Sequence, residues 1–192
     1  MHSMKIIFYA CSFLALASCT ESAEKADSYF DSLITSQVSA LSQAKASIVK
    51  HALIDSQHDE ATFIPDSIAW ESELGIFRQL EVYERLAYRD AYEMKDGVPD
   101  VKSNLTVRSY HSLKNVPIRD LKFYYHDHFQ QVKKIEATFQ EKNTLYTTKR
   151  SLQMEFEEIN GKPILSSYSI SGVQKMMLND SVKFSIQSKI VF

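Results

Sequence analysis

Arg150 is the side chain whose position asks most for a chemical explanation. Counted by alternation along its run, it shares the apolar side with Thr148, Leu152 and Met154. A guanidinium buried there carries a large cost unless a carboxylate or a ligand meets it. Glu73 and Glu84 are the acids available to pair with it, since both fall within or beside the apolar stripe of a predicted helix. The plainer reading is an ion pair with one of them, or escape to a rim where the sheet outruns its helices. The sharper one is a pocket between sheet and helices, lined by Arg150, Tyr146, Tyr168 and Gln174, that takes an acidic or polar ligand. The two glutamates are eleven residues apart, roughly 16 Å along a helix. Paired acid and base work on one bond needs carboxyls within about 10 Å, so that chemistry is not expected of them.

Other groups carry less. On a strand, His126 and His128 of His126-Asp127-His128 point to one side and could be two ligands of one metal, but no third or fourth ligand is near in sequence. Two solvated histidines are therefore expected, with no metal or cofactor. His51 and His58 stand alone. Tyr110 and Tyr124 fall on the predicted wet face, where amphipathic rings suit carbohydrate or protein contact. There is no Gly-x-Ser-x-Gly and no His-Glu-x-x-His, and four glycines leave little material for a phosphate-cradling loop. Nothing in the residues argues for an enzyme, although scattered catalytic residues would leave no motif.

The elements that must position these residues change character near Gly97. Before it, apolar residues follow a helical period; after it, they alternate. Phe30, Leu33, Ile34, Leu41, Ala44, Ile48 and Ala52 form one stripe of a helix expected over about 23–56. Asp66 or Ser67 can cap a second helix, whose apolar face is Ile76, Phe77, Leu80, Tyr83, Ala87, Tyr88 and Ala91. Gly97 followed by Pro99 reads as its stop.

From Asn104 onward six alternating runs are joined by short links such as Lys142-Asn143, Asn160-Gly161-Lys162 and Leu178-Asn179-Asp180, the pattern of an antiparallel meander. The dry face is predicted as Leu105 and Val107, Phe123 and Tyr125, Ile135 to Phe139, Leu152 to Phe156, Tyr168 and Ile170, and Phe184, Ile186 and Ile190. Arg108, Lys122, Glu136, Gln153 and several serines fall on the wet one. A sheet with one dry side must pack it on something, and two amphipathic helices are available. The expected fold is α+β: a single domain over 28–192, with helices over about 28–95 packed on one face of a roughly six-stranded sheet over about 104–192. The last run, ending on Phe192, resembles the closing strand of outer-membrane barrels. About six strands with charged outer faces are too few for a barrel.

The first residues describe an address. Met1 to Lys5 carries one positive charge and Ile6 to Ala17 is almost wholly apolar. A helix of that length is roughly 18 Å long, short of the roughly 30 Å hydrocarbon core. Leu16-Ala17-Ser18-Cys19 closes the run and resembles the lipobox of bacterial lipoproteins. The resemblance implies a signal peptide over 1–18, lipid on Cys19, and a tether over 19–27. Several acyl chains on one cysteine give stable membrane attachment without a spanning helix. In lipoproteins of two-membrane bacteria an aspartate after the cysteine often retains the protein at the inner membrane. Thr20 stands there, so an outer-membrane address is implied, and Glu21, Glu24 and Asp27 loosely resemble a surface-export signal.

Cys11 and Cys19 are the only cysteines, so the rest of the chain has neither disulfide nor thiol chemistry. Charge is nearly balanced at -2 and basic residues do not run together, which argues against nucleic acid as a partner. The expectation is a non-enzymatic envelope lipoprotein that binds a small ligand or an envelope protein. Its alternatives are a carrier or chaperone for lipid or exported protein with an apolar cavity between sheet and helices, and an envelope hydrolase.

Overall fold

The computed structural model describes residues 28–177 and 180–192; Cys19, the leader, the tether, and Leu178 and Asn179 of the last link lie outside them. The described chain is a mixed α and β structure built on one antiparallel sheet. Helix α1 (Tyr29–Gln43) begins at Ser28, whose hydroxyl accepts from the Asp31 N–H at 3.1 Å. It buries Phe30, Ile34, Gln37 and Leu41.

The helix ends well short of the predicted residue 56. Lys45 turns into the left-handed region at φ 50, and the Ala46 N–H returns to the Leu41 carbonyl at 3.1 Å. The chain then runs as two strands, β1 (Ser47–Ile54) and β2 (Gln57–Phe63), in place of the predicted helix end and connection. Ile48 and Ala52 are four apart and so satisfy both periods. The β-branched Ile48, Val49 and Ile54 favour the extended one, and the pairing of β1 with β9 decides it.

Helix α2 (Ser67–Arg78) starts as predicted: Asp66 caps it by accepting from the Ala69 N–H at 2.8 Å. Its continuation is two short 3-10 turns, Gln79–Glu84 and Leu86–Ala91, not regular α-helix. Strand β3 (Tyr92–Pro99) follows, so Gly97 and Pro99 do not stop a helix. The β3–β4 register shifts between Lys95 and Val98, and Gly97 sits at φ 75 inside that bulge.

The predicted meander then appears as β4 (Thr106–Ser112), β5 (Ile118–Tyr125), β6 (Val132–Lys142), β7 (Tyr146–Ile159), β8 (Lys162–Met176) and β9 (Ser181–Val191). The sheet order β2-β1-β9-β8-β7-β6-β5-β4-β3 makes nine strands among the described residues, three more than predicted. The strand-count objection to a barrel therefore falls away, but the order begins and ends on different edge strands, as an open sheet does. Among the described residues no helix is long and apolar enough to cross a membrane.

Both helices cover one face of the sheet. Trp70, Leu74 and Phe77 from α2 and Phe30, Ile34 and Leu41 from α1 meet Leu121, Phe123, Ile135, Leu152, Met154, Leu165 and Ile48, all essentially without solvent contact. Each such side chain contributes about 1.5–3 kcal/mol by leaving water. Gln37 is the polar exception on α1. Its amide donates to the Pro163 carbonyl at 3.0 Å and accepts from the Leu165 N–H at 2.8 Å, beside the β7–β8 register shift at Glu155/Phe156.

The predicted facing of the strands holds except in β4. There Arg108 pairs with Phe123 and Tyr110 with Leu121, so Arg108 and Tyr110 lie on the covered face and Val107, opposite Tyr124, on the open one. Leu105 and Val107 had suggested the opposite parity. The packing of Tyr110 against Tyr83, with ring centroids 4.9 Å apart, holds the observed one.

Candidate functional site

The covered face is longer than its helices. Arg150 projects from β7 beside the C-terminal end of α2, where Gln79 caps the helix. Gly172 of β8 pairs with Arg150 on one side and Phe184 on the other. Its missing side chain matters: a Cβ would lie 2.5 Å from the Lys149 carbonyl oxygen, 2.9 Å from the Phe184 ring and 3.2 Å from the Arg150 stem. Glycine thus forms the floor on which these two side chains lie.

Arg150 is half-buried. Its Nη2 donates to the Gln79 amide oxygen at 3.0 Å, and its guanidinium stacks over the Phe139 ring at 4.4 Å. Among the described residues the buried Nε has no hydrogen-bond partner, and no carboxylate lies within ion-pair distance of the guanidinium. Burial pulls its pKa down from the usual arginine value, with the nearby Glu141 opposing. Arginine stays charged in proteins, so the guanidinium remains a cation in this partly desolvated position.

Around it, Ile76 of α2, Glu141, Tyr146, Thr148, Ile170, Gln174, Phe184 and Ile186 form a cleft of about 380 Å³, within the range of small-ligand sites. The Tyr146 hydroxyl donates to Glu141 at 2.6 Å, which raises the pKa of that phenol and occupies the acid. The register carries the apolar wall outward past the cleft: Met176 lies opposite Tyr146, Val182 opposite Gln174 and Ile54 opposite Phe184. These three are 46%, 41% and 52% exposed.

The predicted constellation is thus assembled in part. Arg150, Tyr146 and Gln174 meet in one cleft. Tyr168 does not join them: its hydroxyl donates to Glu73 at 2.6 Å, and Lys50 donates to the same carboxylate at 2.7 Å. Burial and that carboxylate push the Tyr168 pKa upward. Glu84 stands elsewhere, accepting from the Tyr29 N–H at 3.2 Å at the start of α1. Neither predicted ion pair of Arg150 with these glutamates forms. Glu141, Gln79 and Phe184 were not among the expected site residues. Glu141 shares the parity of Phe139 and Ala137 on β6 and was readable from it.

His126-Asp127-His128 lies in the turn after β5, not on a strand, and His126 Nε2 meets the Asn104 side chain at 3.4 Å. Among the described residues no cluster of three or more metal-ligating side chains exists. Tyr124 is on the open face as predicted, bonded to Glu136 at 2.7 Å beneath the Lys134 ammonium, 3.9 Å from its ring centroid.

The open face carries three hollows of about 360, 640 and 420 Å³ running from β2 to β5. Serines line all three, and several of their polar groups bond one another, while Lys122 and Lys189 in the lining have no ion pair among the described residues. His51 faces Glu60 at 3.4 Å, Gln153 and Ser167 both donate to Glu155, and His111 meets Asp120 at 2.7 Å. The Arg150 cleft differs in having largely apolar walls around a half-buried cation. No family model, no curated protein and no solved structure matches the chain.

Proposed function

We propose that this chain is a non-enzymatic binding module of the bacterial cell envelope, held to the outer membrane by lipid on Cys19, whose ligand or envelope partner docks in the Arg150 cleft. The observation that carries the reading is Arg150: a half-buried guanidinium, met by one neutral amide, in a cleft whose walls are apolar. A buried cation left short of a counter-charge is a cost to the fold, and a site that receives an anion removes it. The lipobox-like Leu16-Ala17-Ser18-Cys19 supports the tether. A carrier with a large enclosed hollow finds less support, because the space between helices and sheet is filled by Phe30, Ile34, Trp70 and Phe77. A carrier role would have to use the open cleft.

Two measurements in cells test the reading. Labelling with an alkyne-bearing fatty acid is expected to mark the wild-type chain and not a Cys19→Ala variant. A photoreactive amino acid at Val182, on the cleft rim, is expected to give one discrete adduct that weakens with Arg150→Met. The same probe at Gln187 on the open face should give none. Adducts from Gln187 alone would move the site to the open face and defeat the cleft reading.

A further inference from the structure

Building on the proposed binding role of the cleft, we infer that its ligand is an anionic single-chain amphiphile, a fatty-acid-like carboxylate whose head meets Arg150 and whose tail lies along Phe184, Ile186 and the exposed rim. Three features select this class.

The first is charge. Of the guanidinium's three nitrogens only Nη2 is engaged among the described residues, and Nε is buried without a partner there. A carboxylate is the planar acceptor that matches such a fork. Glu141 is the one acid in the cleft lining, and its acceptance from the Tyr146 hydroxyl at 2.6 Å turns it toward β7's start. Gln174 and Thr148 add neutral hydrogen-bonding groups beside the head position.

The second is the shape of the apolar surface. Ile76, Ile170, Phe184 and Ile186 line the cleft, and Val182, Met176 and Ile54 continue it outward on the same face. One cation at one end of an apolar track matches a ligand with one charged end and one apolar chain.

The third concerns what the cleft lacks. It opens on the face of β7, β8 and β9, which are paired on both sides, so it offers no free strand edge. A peptide laid there would leave its own amide groups without sheet partners, whereas strand-adding recognition depends on an unpaired edge. An acyl chain has no amides to satisfy.

The test uses the full chain carrying Cys19→Ser, which offers no thiol for lipid attachment and is handled without detergent. Dodecanoate and dodecanol, kept below micelle-forming concentrations, are titrated while methyl signals of Ile76, Ile186 and Val182 are followed by NMR. Dodecanoate is expected to bind about ten-fold or more tightly than dodecanol, and Arg150→Met to remove that preference while leaving dodecanol binding in place. Arg150→Lys, which keeps charge but not the fork, should recover part of it. Equal affinity of the two compounds for the unsubstituted cleft would overturn the inference even if Arg150→Met failed to fold, as would a preference that survives that substitution. An apolar heptapeptide with a free carboxyl terminus binding more tightly than dodecanoate would assign the cleft to a protein end instead. In each of these three cases a discrete adduct from Val182 in cells would leave the binding-module reading standing.

Discussion

Arg108 and Arg150 occupy matching positions at opposite ends of the same sheet face and end in opposite circumstances. Each lies on the covered side, each stacks on a phenylalanine, Phe129 at 3.9 Å and Phe139 at 4.4 Å, and each buries its Nε without a partner. Arg108 has a carboxylate: the β3 bulge around Gly97 aims Asp96 at it, 2.5 Å away, and the Tyr125 hydroxyl donates to the same acid at 2.8 Å. Its pKa is accordingly raised by Asp96 against burial, while that of Arg150 is lowered by burial. A covered-face arginine is therefore not by itself a sign of a site. What distinguishes Arg150 is that the fold supplies a bulge and an acid for one cation and only a glutamine for the other.

The largest effects separate the filled centre from the open end, and adjacent residues of α2 do so best. Phe77 is fully buried with its ring edge-on to Tyr168 at 5.6 Å, and Phe77→Ala should cost about 3–5 kcal/mol in denaturant unfolding. Its neighbour Ile76 faces the cleft, so Ile76→Ala should cost about 1 kcal/mol. Equal losses would mean the cleft is packed in solution. Gly172→Ala comes next: the added methyl meets backbone at 2.5 Å, and a loss of about 1–3 kcal/mol is expected, with chemical-shift changes concentrated at Phe184 and Arg150.

How far these features were legible depends on whether a pattern had one reading or two. From β5 to β9 each strand has a single apolar parity, Ile135-Ala137-Phe139 or Leu152-Met154-Phe156, so the order and the facing of these strands followed from alternation. Ile48 and Ala52 fit a helix and a strand equally, and the β1–β2 turn runs through Asp55 at φ 51 without the glycine that usually marks such a hairpin. β4 offered apolar residues on both parities, and the partner strand decided what its own residues could not. Arg150 was readable as a misfit on a dry face. That its partners are Gln79 and Phe139 and not Glu73 was not readable, because Glu73 is held by Lys50 from a strand that alternation had not revealed.

The paired arginines then predict opposite signs. Arg108→Met removes an ion pair that is about one-quarter exposed and a cation stacked on Phe129, and should cost about 1 kcal/mol. Arg150→Met removes a partly desolvated charge at the loss of one hydrogen bond and a stack. Without ligand it should fall between no change and a gain of about 1 kcal/mol, read as the denaturant midpoint. A clear loss at Arg150 would show that an internal acid reaches it in solution and would erase the contrast.

The smallest effect is a pH dependence that belongs to one end only. Hydrogen bonding to Arg108 and Tyr125 holds the Asp96 pKa below the ordinary aspartate value, although burial works against it. A group with a depressed folded-state pKa adds stability that is fully present above its unfolded value, near 4, and is lost as pH falls through the folded one. The stability difference between wild type and Asp96→Asn should therefore be constant from neutral pH down to about 5 and shrink progressively below about 4. Because Asp96 is a third exposed, the shift in urea midpoint should be small and should diminish in high salt. Among the described residues the Arg150 end has no equivalent carboxylate bonded to its cation, so Arg150→Met should track wild type across the same acidic range. Parallel curves for Asp96→Asn would mean that the bulge holds Asp96 without help from its charge, and the distinction between the two arginines would then rest on packing alone.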